Sequence, residues 1–271
     1  MRTRIISGAV LLPLLLFLII FGGIPLHAAI FVISIIGIYE FYKALSGKIL
    51  PVHLFGFAAC AVFVPFAEKI VSTGNMFNAF TACFIVLLLS YMVLFHKKCN
   101  DRDVFITFFG FYYVCFLLTH IYLVRSYTYG QYFVWLIFIA SFVCDTGAYF
   151  TGMLLGKHRL IPDLSPKKTI EGAIGGVVWA TAASVIFGIV IERKFMLDQV
   201  ATVFLCTIIG IAGSMLSQIG DLAASSFKRM VGIKDYGNLI PGHGGILDRF
   251  DSVIITAPVV YYVMVALIEV L

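Results

Sequence analysis

The sequence predicts an all-α, polytopic integral membrane protein of about nine transmembrane helices, its N-terminus cytoplasmic and its C-terminus on the opposite side. Three observations carry this expectation. Charge is scarce: of 271 residues, 12% are charged and 61% hydrophobic, whereas soluble domains carry about 25% charged residues. Apolar stretches long enough to cross a hydrocarbon core of about 30 Å recur along the chain. The Lys and Arg residues collect on one side of the topology that those stretches define.

The candidate spans run over roughly 5–22, 26–42, 49–67, 76–95, 104–124, 132–154, 172–191, 200–227 and 250–270. The first opens as "MRTRIISGAVLLPLLLFLII". Its apolar run is too long for a cleavable signal, and no small-x-small site follows, so it reads as a retained span. The second is short and ends in "YEFYK", with Glu40 read as interfacial beside Tyr39 and Tyr42. The eighth is long enough to project into solvent at its C-terminal end. With the N-terminus inside, only Lys69, Arg125, Arg193 and Lys194 fall outside, leaving fifteen of the 19 Lys and Arg on the cytoplasmic side. Two cytoplasmic loops stand out as basic and rich in Gly and Pro: "GKHRLIPDLSPKKTIEG" (156–172) and "KRMVGIKDYGNLIPGHGG" (228–245).

Several features have plain structural readings. The six cysteines form no CxxC pair and read as buried small hydrophobes, not as a metal site or disulfide framework. "GAIGGVVWA" (172–180) reads as a close-packing helix face. His53 and His120 read as packed or interfacial. The net charge of +5 is modest, and no nucleic-acid partner is expected. Residues 1–130 are expected to form a scaffold of membrane helices that can also carry dimer contacts, and 131–271 to carry the catalytic site.

A charged group inside a span costs roughly 2.5–3.5 kcal/mol on insertion scales, so those retained need a reason. Asp145 lies in "SFVCDTGAYFTG", Asp221 in "SQIGDLAASSFKR", and Asp248 and Asp251 in "ILDRFD". On the eighth span Ser214, Ser217, Asp221, Ser225 and Lys228 recur at helical spacing, and on the sixth Ser141, Asp145, Tyr149 and Gly152 do the same. Asp248 and Asp251, three apart, share a face. Carboxylates gathered in this way repel unless a cation neutralises them, and hard oxygen ligands suit Mg²⁺, one ion or two. Asp221, Asp248 and Asp251 are the expected ligands, with Asp145 a fourth candidate; alone, Asp145 reads equally well as a helix–helix hydrogen-bond partner. Lys167, Lys168, Lys228, Arg229, Lys234 and Arg249 supply the opposite charge. The glycines of "PGHGG" let backbone N–H groups approach an anion, which the start of the following helix also favours. A metal site beside phosphate-holding cations is the equipment for phosphoryl or nucleotidyl transfer, and its place at a membrane suggests a lipid substrate.

The stretch "SSFKRMVGIKDYGNLIPGHGGILDRFD" (225–251) resembles the signature of the phosphatidate cytidylyltransferases, or CDP-diacylglycerol synthases. The matching positions are Ser226, Phe227, Lys228, Arg229, Lys234, Asp235, Pro241, His243, Gly244, Gly245, Ile246, Asp248, Arg249, Phe250 and Asp251, with no departure. "DTGAYFTG" from Asp145 is similar to a second family motif, with Cys144 in place of its usual serine, and "LSPKKTIEG" (164–172) to a third. The strong resemblance covers 145–251; residues 1–130 match in hydrophobic character alone.

The resemblance implies that CTP and phosphatidate give CDP-diacylglycerol and pyrophosphate with Mg²⁺, in a bacterial inner membrane, by a dimeric helical bundle whose active site faces the cytoplasm. Asp221, Asp248, Asp251, Lys228, Arg229, His243 and Arg249 are then the expected catalytic set. Lys167, Lys168, Ser226, Lys234, Asp235, Gly244 and Gly245 are expected at substrate phosphates. The alternatives are a CTP-dependent polyprenol kinase, which would release CDP, and an ion-coupled transporter. A transporter predicts polar groups spread through the bilayer midplane and inverted repeats; no repeat is visible here. A CDP-alcohol phosphotransferase requires a "DGxxAR" pattern that this chain lacks.

Overall fold

The computed structural model describes residues 2–195 and 199–268. It is a helical protein, and each of the nine predicted segments contains a helix. In order these are α1 (Arg2–Phe21), α2 (Gly23–Ser46), α3 (His53–Phe63), α4 (Ala67–Ser72), α5 (Gly74–Leu94), α6 (Asp101–Gly110), α7 (Leu117–Ser126), α8 (Gly130–Phe138), α9 (Cys144–Leu155), α10 (Ile170–Phe195), α11 (Gln199–Met230) and α12 (Leu247–Ile268). Wider π-helical turns, Phe111–Phe116 and Ile139–Val143, join α6 to α7 and α8 to α9.

Among the described residues seven helical stretches are long and apolar enough to cross a membrane. They are Gly23–Ser46, Gly74–Leu94, Asp101–Ser126, Gly130–Leu155, Ile170–Arg193, Ala201–Met230 and Leu247–Ala266. The apolar parts at Ser7–Phe21 and His53–Phe63 are shorter. At 1.5 Å per residue, α3 extends about 16 Å, roughly half the hydrocarbon thickness. The predicted third span, 49–67, thus holds one short helix, α3, and ends where α4 begins. The C-terminal residues 269–271 lie outside the described residues.

The loop 156–172 is not irregular. It folds into an antiparallel pair, β1 (Arg159–Ile161) and β2 (Ser165–Thr169), with Arg159 opposite Thr169 and Ile161 opposite Ser165.

The chain forms two compact units: Met1–Leu123 with Val231–Arg249, and Val124–Met230 with Phe250–Leu271. The first unit is held by aromatic rings. Phe63, fully buried, meets Phe77, Phe80, Phe111 and Phe116 at centroid separations of 5.4–6.5 Å, the range in which ring pairs attract. Tyr42, also buried, stacks on His53 at 4.5 Å and donates its hydroxyl to the Thr107 carbonyl at 2.7 Å. His53 and His120 are both fully buried, so the packed reading holds for each.

The second unit is held by small residues. A Cβ on Gly176 of α10 would lie 2.8 Å from the Cys144 carbonyl and 3.0 Å from the Ala148 Cβ of α9. Gly172 approaches the Ala148 carbonyl and Gly147 the Trp179 ring in the same way. The "GAIGG" run is therefore the α9–α10 contact face. Replacing Gly176 with Leu should destabilise the protein by about 1–3 kcal/mol through overpacking, read as a lower thermal unfolding midpoint in detergent.

Candidate active site

The site is built most completely within the second unit. A cavity of about 530 Å³ is lined by α9, the hairpin, the start of α10 and α11. Asp145, Tyr149, Gly152 and Met153 come from α9, and Gln218 and Asp221 from α11. The hairpin region contributes Lys157, Arg159, Lys167 and Lys168. The cavity therefore holds four cations against two carboxylates, which favours an anionic occupant.

The predicted stripe on the sixth span is only partly a cavity face. Asp145, Tyr149 and Gly152 line the cavity, but Ser141 is buried and bonds to Thr256 Oγ1 at 3.1 Å and to the Ile137 carbonyl at 2.9 Å. Ser141 lies in the π-helical turn Ile139–Val143. Such a turn holds more residues than an α turn and shifts the register before Asp145. Cys144, standing where the resembling motif has serine, is fully buried. Its thiol lies 3.6 Å from the Ser214 carbonyl and accepts from Gln218 Nε2 at 3.4 Å, polar contacts of the kind a hydroxyl would make.

Lys168 Nζ forms an ion pair with Asp221 Oδ2, and both side chains are about a quarter exposed. Asp221 is also the charged neighbour of Asp145 and of Asp251, and Lys228 lies near enough to Asp251 to oppose that repulsion. The structure thus brings Asp145, Asp221, Asp251, Lys167, Lys168 and Lys228 into one electrostatic neighbourhood. Among the described residues no three His, Cys, Asp or Glu side chains gather into a ready metal site. Carboxylates without imidazole or thiolate partners nevertheless fit Mg²⁺, which typically takes only one or two protein carboxylates and completes its shell with water and substrate phosphate.

The hairpin is fixed at its base by Glu171. The Glu171 carboxylate accepts from Lys157 N at 3.0 Å and from His158 N at 3.2 Å, and bonds His158 Nδ1 at 2.6 Å.

The "PGHGG" segment packs in the first unit. Asp248 is 6% exposed, and its Oδ2 accepts from Tyr236 N at 2.8 Å and Gly245 N at 3.0 Å. Glu40 accepts from Ile246 N at 3.1 Å and Leu247 N at 2.9 Å. The Gly245 N–H, expected at a substrate phosphate, is thus directed at Asp248. The anion at the start of α12 is the chain's own. Gly244 adopts a left-handed φ of 87°, and a Cβ there would lie 2.9 Å from Asp248 Oδ2 and 3.3 Å from Asp235 Cβ. His243 Nδ1 is 2.7 Å from Ser7 Oγ. Ser226, Arg229, Lys234, Asp235 and Arg249 are exposed.

Sequence reasoning missed four contributors. Lys157 and Arg159 stood only as topology markers, yet they line the cavity. Gln218 lies one turn before Asp221 on α11, a helical spacing that could have found it. Glu40, read as interfacial, is 5% exposed, with its carboxylate turned to the backbone of Ile246 and Leu247. The signal was present: an acidic residue in an apolar helix.

Comparison with known families matches residues 2–267 to the cytidylyltransferase family. The chain is similar to a phosphatidate cytidylyltransferase of Bacillus subtilis, 34% identical over 274 residues, covering 97% of each chain. It is similar to proteins of the same name from Staphylococcus haemolyticus and Staphylococcus epidermidis, each 32% identical over 268 residues and covering 98% of this chain and 99% of the relative. The similarity thus reaches well beyond 145–251 into the N-terminal helices.

If Glu171 anchors the hairpin, Glu171→Ala should accelerate amide hydrogen exchange at Lys157 and His158 while leaving α11 unchanged. Unchanged exchange at those two amides would remove the anchoring role.

Proposed function

The chain belongs to the cytidylyltransferase family, and on that premise we propose that it transfers the cytidylyl group of CTP to phosphatidate, giving CDP-diacylglycerol and pyrophosphate. The observation that carries this is the cavity itself: Lys157, Arg159, Lys167 and Lys168 beside Asp145 and Asp221, on helices apolar enough to cross a membrane.

The chemistry is an in-line displacement. An oxygen of the phosphatidate phosphate forms a bond to the α-phosphorus of CTP as the bond to the bridging oxygen breaks, and pyrophosphate leaves with that electron pair. A phosphomonoester is already largely anionic near neutral pH, so no general base is needed. The obstacle is repulsion between two polyanions. Fixed cations answer it by lowering the potential where both phosphates must meet, and positioning answers the rest. We assign Arg159, Lys157, Lys167 and Lys168 to phosphate oxygens of either substrate. Asp221, Asp251 and Asp145 are the carboxylates that would hold Mg²⁺, which when bound would neutralise charge on the phosphates. Asp248 holds the "PGHGG" segment through Oδ2. The cytoplasmic placement of the site is supported by fifteen of the 19 Lys and Arg falling on that side of the sequence-derived topology. A homodimer in a bacterial inner membrane belongs to the same proposal.

Purified protein in detergent, given CTP, phosphatidate and Mg²⁺, should release pyrophosphate and form CDP-diacylglycerol. Release of CDP instead would indicate a lipid kinase, and no turnover would overturn the assignment. Asp221→Asn should lower kcat/KM by at least about a hundredfold, in line with loss of a charged contact at the reacting centre. Arg159→Ala should raise KM about tenfold to a hundredfold, the worth of one hydrogen bond to a charged group. An Arg159→Ala enzyme with unaltered KM for both substrates would take that residue out of the site.

A further inference from the structure

We infer that Glu40 is a positioning residue for this reaction: its carboxylate caps the first turn of α12 and fixes the "PGHGG" segment against that helix start. The role in turnover rests on the cytidylyl-transfer proposal above; the capping geometry stands apart from it.

Glu40 lies in the apolar helix α2, between the exposed Tyr39 and the fully buried Phe41, and is itself 5% exposed. A carboxylate there needs compensation. Among the described residues no Lys, Arg or His forms an ion pair with it. Its compensation is backbone: Ile246 N–H to Oε1 at 3.1 Å and Leu247 N–H to Oε2 at 2.9 Å. These are among the orphan donors of a helix start, where negative charge is favoured. With Gly245 N–H held by Asp248, three successive amides, 245, 246 and 247, end on carboxylate oxygens.

The segment is shaped around this carboxylate. A Cβ on Gly245 would come within 2.5 Å of both Glu40 oxygens, and a Cβ on Gly237 within 2.5 Å of Oε1. Two glycines that sequence reading would give to phosphate approach or chain flexibility are instead the space Glu40 needs. Asp251 stands four residues beyond Leu247 on the same helix.

The test uses the full chain in detergent with CTP, phosphatidate and Mg²⁺. Glu40→Gln keeps the shape but turns an amide NH₂ toward one of the two N–H donors. It should lower kcat about tenfold with KM for CTP within about twofold, the split expected when alignment is lost and substrate contacts are kept. Gly237→Ala alone should also lower kcat about tenfold, by pressing on Glu40. In a Glu40→Ala background it should add less than about twofold, because the atom it strikes is gone. Additive losses, or a Glu40→Gln enzyme with native kcat, would overturn the inference. Amide hydrogen exchange of the Glu40→Gln protein supplies the readout independent of turnover. Residues 236–248 should exchange faster while α5 does not, and unchanged exchange would also overturn it. Absence of CDP-diacylglycerol from the wild type would count against the transfer proposal, with exchange still deciding the cap.

Discussion

A carboxylate inside an apolar helix must be met by donors, and much of this molecule is arranged around that requirement. Water cannot supply the donors within a hydrocarbon layer, and leaving an ionised group without partners there is far more costly than leaving it at a surface. The protein meets the demand in two ways. Glu40 and Asp248 are answered by backbone amides of one short segment. Asp221 is answered by a lysine carried on a hairpin. The first solution produces a rigid helix start; the second keeps a charged pair at the wall of a cavity.

The two units reach stability by different packing. Rings interlock around Phe63 and Tyr42 in the first, while glycines in the second let α9 and α10 approach until backbone meets backbone. Close approach matters for chemistry because the cavity wall is made from those two helices and α11. Without side chains filling the α9–α10 contact, Asp145 on α9 and the hairpin leading into α10 can present polar groups to one space. The π-helical turn before Asp145 contributes as well, directing Ser141 into the interior and Asp145 to the cavity.

The apolar segments were legible because lipid imposes a length and a composition that any sequence window reveals. The aspartates at 145, 221 and 251 were legible because charge in such a window is rare. Other features were hidden for identifiable reasons. Strands of three and five residues, "RLI" and "SPKKT", carry no polar–apolar alternation, so the hairpin of β1 and β2 read as part of a Gly- and Pro-rich loop. Lys157 and Arg159 sit at a span end, where a basic residue is normally a topology marker. Glu40 was discounted because tyrosines beside it suggest a headgroup boundary, and its partners lie more than 200 residues away. Gly245 was read forward, as room for a ligand, when the room is already filled by Glu40. Length alone could not show that the helix within residues 49–67 is as short as His53–Phe63.

The ion pair between Lys168 and Asp221 has a consequence for how an anion enters. One of the four lining cations, Lys168, already has a carboxylate partner, so a phosphate that takes its ammonium exchanges partners there. Coulomb attraction gained by the phosphate is offset by attraction lost at Asp221, which is then left in want of a cation. On the proposed reading, a phosphate at Lys168 and a cation at Asp221 would be linked, each favouring the arrival of the other. Such an arrangement would favour occupancy when both halves of its charge complement are present.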